Sequence, residues 1–188
     1  MPGATTARLV DCCCAISINA RMMPQTVDWD GPIYIRLAKG YDPVVSKPEL
    51  GFTLGRGIRY QEGAAVLLVS TGVSLHVCID AAELLAQQGV GVAIMHSPTI
   101  KPFDSELLLD MADGKKAVVP VEEHSTIGGL GDAVGETLLQ AGLASVPAFR
   151  KVGIPDVFTE NYGSQKELMS HFSIDGPGVA KTVTDLIG

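Results

Sequence analysis

From residue 63 onward, short runs of apolar residues alternate with stretches in which apolar positions recur every three or four residues. "AAVLLVS" (64–70), "VGVAIMH" (90–96), "KAVVPVE" (116–122) and "PAFRKVG" (147–153) read as strands, because they are short, rich in β-branched residues and bounded by turn residues. The intervening pattern predicts helices at 74–88, 104–113, 130–141 and 164–172. Gly89, Gly114 and Gly142 stand where a left-handed C-cap is wanted. Helix starts are equally legible: Asp104 caps one, Ser164 with Glu167 forms a capping box, and Asp175-Gly176 precedes Pro177 in the first turn of a last helix running to about residue 187. Strands that alternate with helices, and that are apolar on both faces, predict an α/β fold of three layers: a mostly parallel sheet with helices on both sides.

Upstream the pattern is thinner. "GPIYIRLAKG" (31–40) reads as an apolar strand ending in a glycine turn, and recognisable structure is expected to begin at residue 31. The prolines and glycines that follow mark 41–62 as a linker. The expected organisation is an atypical segment at 1–23, a short strand-bearing piece at 24–40, the linker at 41–62 and the α/β domain at 63–188. The first segment is expected to lack stable packing, since it is polar, cysteine-rich and terminal.

Composition narrows the functional classes. A chain of 188 residues, 46% hydrophobic and 19% charged, is long enough for one well-buried soluble domain. A net charge of −7 and a pI near 5.0 argue against nucleic acid as a partner, because a phosphate-backbone binder needs a basic face. Three of the four cysteines are consecutive, Cys12 to Cys14, and Cys78 falls in a helical pattern. No disulfide framework results, and a reducing cytoplasm is expected. Asp11 interrupts the apolar run after Arg8, which is also too short to span a bilayer, so no membrane association is expected.

The richest chemistry lies in "VEEHSTIGGLGDAVGE" (121–136). A Ser-His hydrolase is disfavoured, since Ser125 merely neighbours His124 and no G-x-S-x-G elbow is present. A dinucleotide loop is disfavoured as well, because Gly129, Gly131 and Gly135 have the wrong last interval and follow a loop rather than a strand. His76, His96, His124 and His171 show no metal-ligand spacing. The remaining reading is close packing: Gly128, Gly129, Gly131 and Gly135 let a helix start approach a sheet or another chain.

Taken together, "GPIYIRLAKG", "LLVSTG", "HSPTIKPFD", "VVPVEEHSTIGGLGDAVGE", "GIPDVF" and "YGSQKEL" resemble the C-terminal part of the transketolase family in order and spacing over residues 24 to 180. That family comprises transketolases, 1-deoxyxylulose-5-phosphate synthases and the β chains of 2-oxoacid dehydrogenases. The "VEEHSTIGGLG" form is similar to the synthase and to bacterial split transketolase subunits.

The resemblance implies a parent enzyme dependent on thiamine diphosphate and Mg²⁺, built from a diphosphate-binding domain, a pyrimidine-binding domain with an activating glutamate, and a C-terminal domain concerned with assembly. Residues 24–40 then correspond to the end of the pyrimidine-binding domain. The Gly-Asp-Gly metal motif and the activating glutamate are absent from this sequence, so the chain alone is expected to bind neither cofactor, to supply no catalytic residue and no metal ligand, and to need the missing domains or a partner subunit. A match that resumes abruptly near Pro24 leaves a truncated gene, an upstream frameshift and a fusion open. Arg36 matches a family arginine that reaches a substrate phosphate, and a guanidinium fork suits that group physically. Glu122, Glu123 and His124 match a loop near the domain junction, which places Glu123 and His124 at the active-site rim. Homo-oligomer formation is implied too. Two rival readings stay open: a 2-oxoacid dehydrogenase β subunit, and a binding protein that keeps the fold without catalysis.

Overall fold

The structure is a computed structural model that describes residues 8–11, 16–36 and 50–188. Cys12 to Cys14, the glycine turn after Arg36 and the first part of the expected linker lie outside the described residues.

The main sheet follows the expected alternation. β4 (Val66–Ser70), β5 (Val92–His96) and β6 (Ala117–Ser125) are its centre, joined by α2 (Ser74–Ala86) and α3 (Ser105–Ala112). β5 and β6 flank β4 on either side, and both pair with it in parallel. All five residues of β4 and of β5 are buried, as a parallel strand covered on both faces requires. After β6 come α4 (Leu130–Gln140), the short strands β7 (Ala148–Phe149) and β8 (Val152–Ile154), and the helices α5 (Gln165–His171) and α6 (Gly176–Ile187).

Side-chain alternation along β4 divides the core in two. Val66 and Leu68 face Leu75, Cys78 and Leu85 of α2 and Val179 and Val183 of α6. Leu67 and Val69 face Leu108 and Met111 of α3 and Val134 and Leu138 of α4. Each of these aliphatic side chains contributes about 1.5–3 kcal/mol by leaving water. The three-layer α/β architecture is as the pattern predicts.

The caps agree in detail. Asp104 accepts the amide of Leu107 at 3.2 Å, Ser164 and Glu167 form the reciprocal box, and Asp175 accepts the amide of Gly178 at 2.8 Å. Gly89, Gly114 and Gly142 adopt φ of 77°, 68° and 65°, the left-handed region in which a Cβ is costly.

Three expectations are corrected. The run 147–153 is not one strand: it breaks at Arg150-Lys151 into β7 and β8, both of which pair with β6. The expected linker contains β3 (Ile58–Gln61), which pairs antiparallel with β5 and closes that edge of the sheet. Its four residues alternate half-buried and exposed, too short a run to register among surrounding glycines and prolines. Finally, recognisable structure does not begin at residue 31. β1 (Arg8–Asp11) pairs in parallel with β2 (Ile33–Arg36), and α1 (Ile16–Val27) runs between them with Pro24 inside it. Met22 on α1 is fully buried in the same core as α2 and α6, so the end of the expected unpacked segment is anchored. Gln25 anchors it further, donating to the carbonyl of Phe52 and accepting the amide of Leu54, both at 2.9 Å.

Candidate functional site at the carboxyl ends of the strands

In an open parallel sheet, ligands gather beyond the carboxyl ends of the strands, where neighbouring crossovers depart to opposite faces. β4 and β6 meet that condition here, since α2 leaves β4 on one face and α3 and α4 cover the other. β2 brings Arg36 to the same end. Its Nη2 donates to the main-chain oxygen of Glu123 at 3.2 Å, so the first piece of the chain and the end of β6 meet at this point.

Strand alternation then sorts the two adjacent carboxylates to opposite faces. Glu123 is half-buried, and both of its carboxylate oxygens accept from Nε2 of Gln165, at 3.0 and 2.9 Å. Gln165 is the first residue of α5, placed there by the Ser164–Glu167 capping box. Two hydrogen bonds from Ser164 hold the carboxyl of Glu167 below its ordinary range. His124 is exposed, with Nδ1 3.2 Å from the carbonyl of its neighbour Ser125. Arg36 and Glu123 are therefore brought together, whereas His124 stands beside them on the surface.

Glu122 takes the other face and is 1% exposed. Its Oε2 accepts the amide of Leu130 and its Oε1 the amide of Gly131, each at 2.8 Å. A carboxylate at a helix N-terminus satisfies orphan amides and complements the helix dipole, so a buried side chain does here what an N-cap residue does elsewhere. The glycines follow from this contact. A Cβ on Gly129 would collide with the Glu122 carboxylate, and one on Gly131 with the Lys151 stem. Gly128 is different: it has φ 78° and open space around its Cα. Lys151 ties the outside of the loop, donating to the carbonyl of Thr126 at 2.6 Å and to Asp132 at 2.8 Å. That ammonium, with the amide of Gly128, holds the Asp132 carboxyl below its usual range. The expectation of close packing is met at Gly129, Gly131 and Gly135, which lie against Glu122, Lys151 and Phe149, and is corrected at Gly128, where the left-handed backbone rather than packing calls for glycine.

Neither Gln165 nor Lys151 was legible as a partner in the sequence, since each meets its carboxylate across a chain crossing rather than at a helical or strand interval. A buried polar pair lies deeper, where Ser70 Oγ and His96 Nδ1 are 3.0 Å apart at the ends of β4 and β5. Burial, reinforced by His76, lowers the His96 pKa to about 4, so its imidazole is neutral. Burial likewise raises the Cys78 thiol far above its ordinary range, leaving it a packing group. Among the described residues no three His, Cys, Asp or Glu side chains gather where a metal ion could be held.

The geometry thus offers a cation, a carboxylate and an amide around the carboxyl end of the sheet. The family described as transketolase, C-terminal domain, matches residues 55–179. The chain belongs to the transketolase C-terminal domain family. It is 38% identical over 160 residues to the 6-deoxy-6-sulfo-D-fructose transketolase subunit of a Clostridium species, covering 85% of this chain and 48% of that one. To the 1-deoxy-D-xylulose-5-phosphate synthase of Dehalococcoides mccartyi it is 37% identical over 126 residues, covering 67% of this chain and 19% of the synthase. Among solved structures, a split gene transketolase in the form of an inactive beta4 tetramer superposes with a TM-score of 0.87 at 31% identity, covering 96% of this chain and 58% of that one. The chain spans about half the length of the curated relatives it matches first. Its relatives include transketolase-family subunits and the C-terminal region of 1-deoxy-D-xylulose-5-phosphate synthase, as the sequence resemblance implied. No helix among the described residues is long and apolar enough to cross a membrane.

Proposed function

We propose that the chain is the C-terminal section of a thiamine-diphosphate-dependent transferase of the transketolase or 1-deoxyxylulose-5-phosphate synthase type, contributing assembly surfaces and one wall of the active-site rim. Such a parent either transfers a two-carbon unit between ketose and aldose phosphates or condenses pyruvate with glyceraldehyde phosphate. Thiamine diphosphate and Mg²⁺ belong to the missing diphosphate- and pyrimidine-binding domains, whether these precede residue 24 on the same polypeptide or form a partner subunit. Within this chain, 24–40 is the end of the pyrimidine-binding domain and 63–188 the C-terminal domain proper, with 41–62 joining them. Cytoplasmic location and self-association complete the reading; the beta4 tetramer of the split gene transketolase supports the second.

The observation that carries the proposal is the junction of Arg36 with the main chain of Glu123. A permanently charged guanidinium stands at the carboxyl end of the sheet against the end of β6, which supports the reading of Arg36 as a phosphate contact and of Glu123 and His124 as rim residues. Arg36 is the side chain for a substrate phosphate, its guanidinium held on one side by the Glu123 carbonyl. The deciding experiment is co-expression with a polypeptide that carries the diphosphate- and pyrimidine-binding domains. Co-purification and ketose transfer that needs both sections are expected, with no thiamine diphosphate bound by the C-terminal section alone in calorimetric titration. Micromolar cofactor binding by this section alone contradicts the assignment, and a stable chain that captures no N-terminal section favours the binding-protein reading.

A further inference from the structure

Resting on the reading of Arg36 as a phosphate contact, we propose that Gln165 is a positioning residue for the same site: it holds the Glu123 carboxylate off the Arg36 guanidinium, so that the guanidinium meets a carbonyl rather than a competing charge. Glu123 offers two kinds of acceptor at the end of β6. Its main-chain oxygen accepts from Nη2 of Arg36 at 3.2 Å, whereas its two carboxylate oxygens accept from Nε2 of Gln165 at 3.0 and 2.9 Å. One residue is gripped from two sides, and its neutral acceptor is the one that meets the cation.

Electrostatics alone assigns the partners the other way. A guanidinium prefers a carboxylate, with which it forms charge-assisted and often bidentate bonds, to a carbonyl. The main-chain oxygen of Glu123 is already within hydrogen-bond distance of Arg36, and the side chain turns about its own single bonds, so a swing of the carboxylate onto the guanidinium needs no movement of β6. Such an ion pair sets a carboxylate in competition with the phosphate for the same donors and adds repulsion between the two anions. The grip of Gln165 prevents it.

Neither capping nor core packing accounts for this contact. The start of α5 is capped by Ser164 and Glu167 reciprocally, and no residue of the helix is buried, so the Gln165 side chain is required for neither. It reaches instead across 42 positions of sequence to the end of β6. Glu122 does not enter the competition, because its oxygens accept the amides of Leu130 and Gly131 on the other face of the strand. The end of β6 thus turns one carboxylate toward this side, and Gln165 restrains it.

The kinetic test uses the complete enzyme, the chain co-expressed with a polypeptide that carries the diphosphate- and pyrimidine-binding domains. Gln165→Ala is expected to raise KM for a phosphorylated aldehyde about three- to fivefold, the factor by which a half-exposed ion pair competes, with kcat and the KM of the unphosphorylated analogue little changed. Adding Glu123→Gln to Gln165→Ala is expected to bring KM back, since the released side chain then carries no charge. A residue that merely supports α5 gives no such rescue. A crystal structure of the Gln165→Ala chain by itself is the second arm, with the Glu123 carboxylate expected within about 4 Å of the Arg36 guanidinium.

An unchanged KM in Gln165→Ala, while Arg36→Ala still discriminates between the two aldehydes, overturns the Gln165 role alone. A raised KM that Glu123→Gln does not lower overturns it too, by assigning the effect to the fold of α5. Loss of discrimination by Arg36→Ala removes the phosphate reading and this role together. If the complex is inactive, the structural arm decides: a carboxylate that stays clear of Arg36 in the Gln165→Ala chain overturns the proposal.

Discussion

Oε2 of Glu122 lies 2.8 Å from the amide nitrogen of Leu130, so a fully buried carboxylate on one strand caps the helix that begins eight residues later. Removing it leaves two buried amides without an acceptor at a helix start. Glu122→Ala is expected to cost about 3 kcal/mol, the sum of two charge-assisted hydrogen bonds less partial relaxation. Glu122→Gln, which keeps one acceptor, is expected to cost less. Urea denaturation followed by circular dichroism gives both numbers, and a change below about 0.5 kcal/mol for the alanine variant contradicts the capping role.

Glycine substitutions in the following loop separate conformational cost from collision. Gly128 has φ 78° and open space, so Gly128→Ala is expected to cost only the left-handed penalty of about 1–2 kcal/mol. A methyl group at Gly129 displaces the Glu122 carboxylate, and Gly129→Ala is expected to exceed that cost. Once Glu122 is alanine, the added methyl finds room. The double-mutant cycle of Gly129→Ala with Glu122→Ala is therefore expected to be non-additive, the pair costing less than the sum. Strict additivity places the strain elsewhere.

Stability should fall with acidification for a reason traceable to His96. The pKa of this buried imidazole is lowered from the ordinary 6.5 to about 4. Its folded pKa lies below its unfolded value, so the unfolded chain takes up the proton first as pH drops. Stabilisation is complete above about pH 6.5 and lost progressively down to about pH 4, on the order of 3 kcal/mol across the window. Denaturant midpoints at pH 7, 5.5 and 4.5 measure the slope. His96→Asn is expected to flatten it, and an undiminished slope in that variant assigns the acid lability to other groups.

Substrate comparison tests Arg36 in the complete enzyme. If the guanidinium meets a phosphate, Arg36→Ala lowers kcat/KM for a phosphorylated aldehyde by roughly ten- to a hundredfold, with much less effect on the unphosphorylated analogue. The structure supplies the competing role, a donor to the Glu123 carbonyl at 3.2 Å. Loss of that bond alone slows both substrates equally, so equal slowing assigns Arg36 to the frame of the rim.

Met22 gives α1 a measurable stake in the core. Its side chain is fully buried alongside residues of α2 and α6, and Met22→Ala is expected to destabilise the chain by about 2–4 kcal/mol. Limited proteolysis checks the same point, with cleavage within Ile16–Val27 expected to be slow in the wild type and accelerated in the variant.

Strand and helix alternation from residue 63 onward was legible because each element carries its own periodicity and its own cap. Val66–Ser70 is apolar on both faces whatever it packs against, and Asp104, Ser164 and Asp175 cap through bonds three residues away. The family resemblance was readable in the same way, from motifs contiguous in the chain. β3 and α1 escaped because their stabilisation is not local. Ile58–Gln61 is four residues held by an antiparallel partner more than thirty positions on, and α1 contains a proline that disfavours a helix until Met22 and Gln25 find partners from other elements. The site divides along the same line. Sequence alone set the residue types at 36 and 122–124, and hence a cation and two carboxylates. Only the tertiary structure decided that Glu122 turns inward to cap α4 while Glu123 turns to Gln165 and Arg36 reaches over from β2. Neighbouring strand residues face opposite sides of the sheet, and which side is buried depends on what the rest of the chain lays against it.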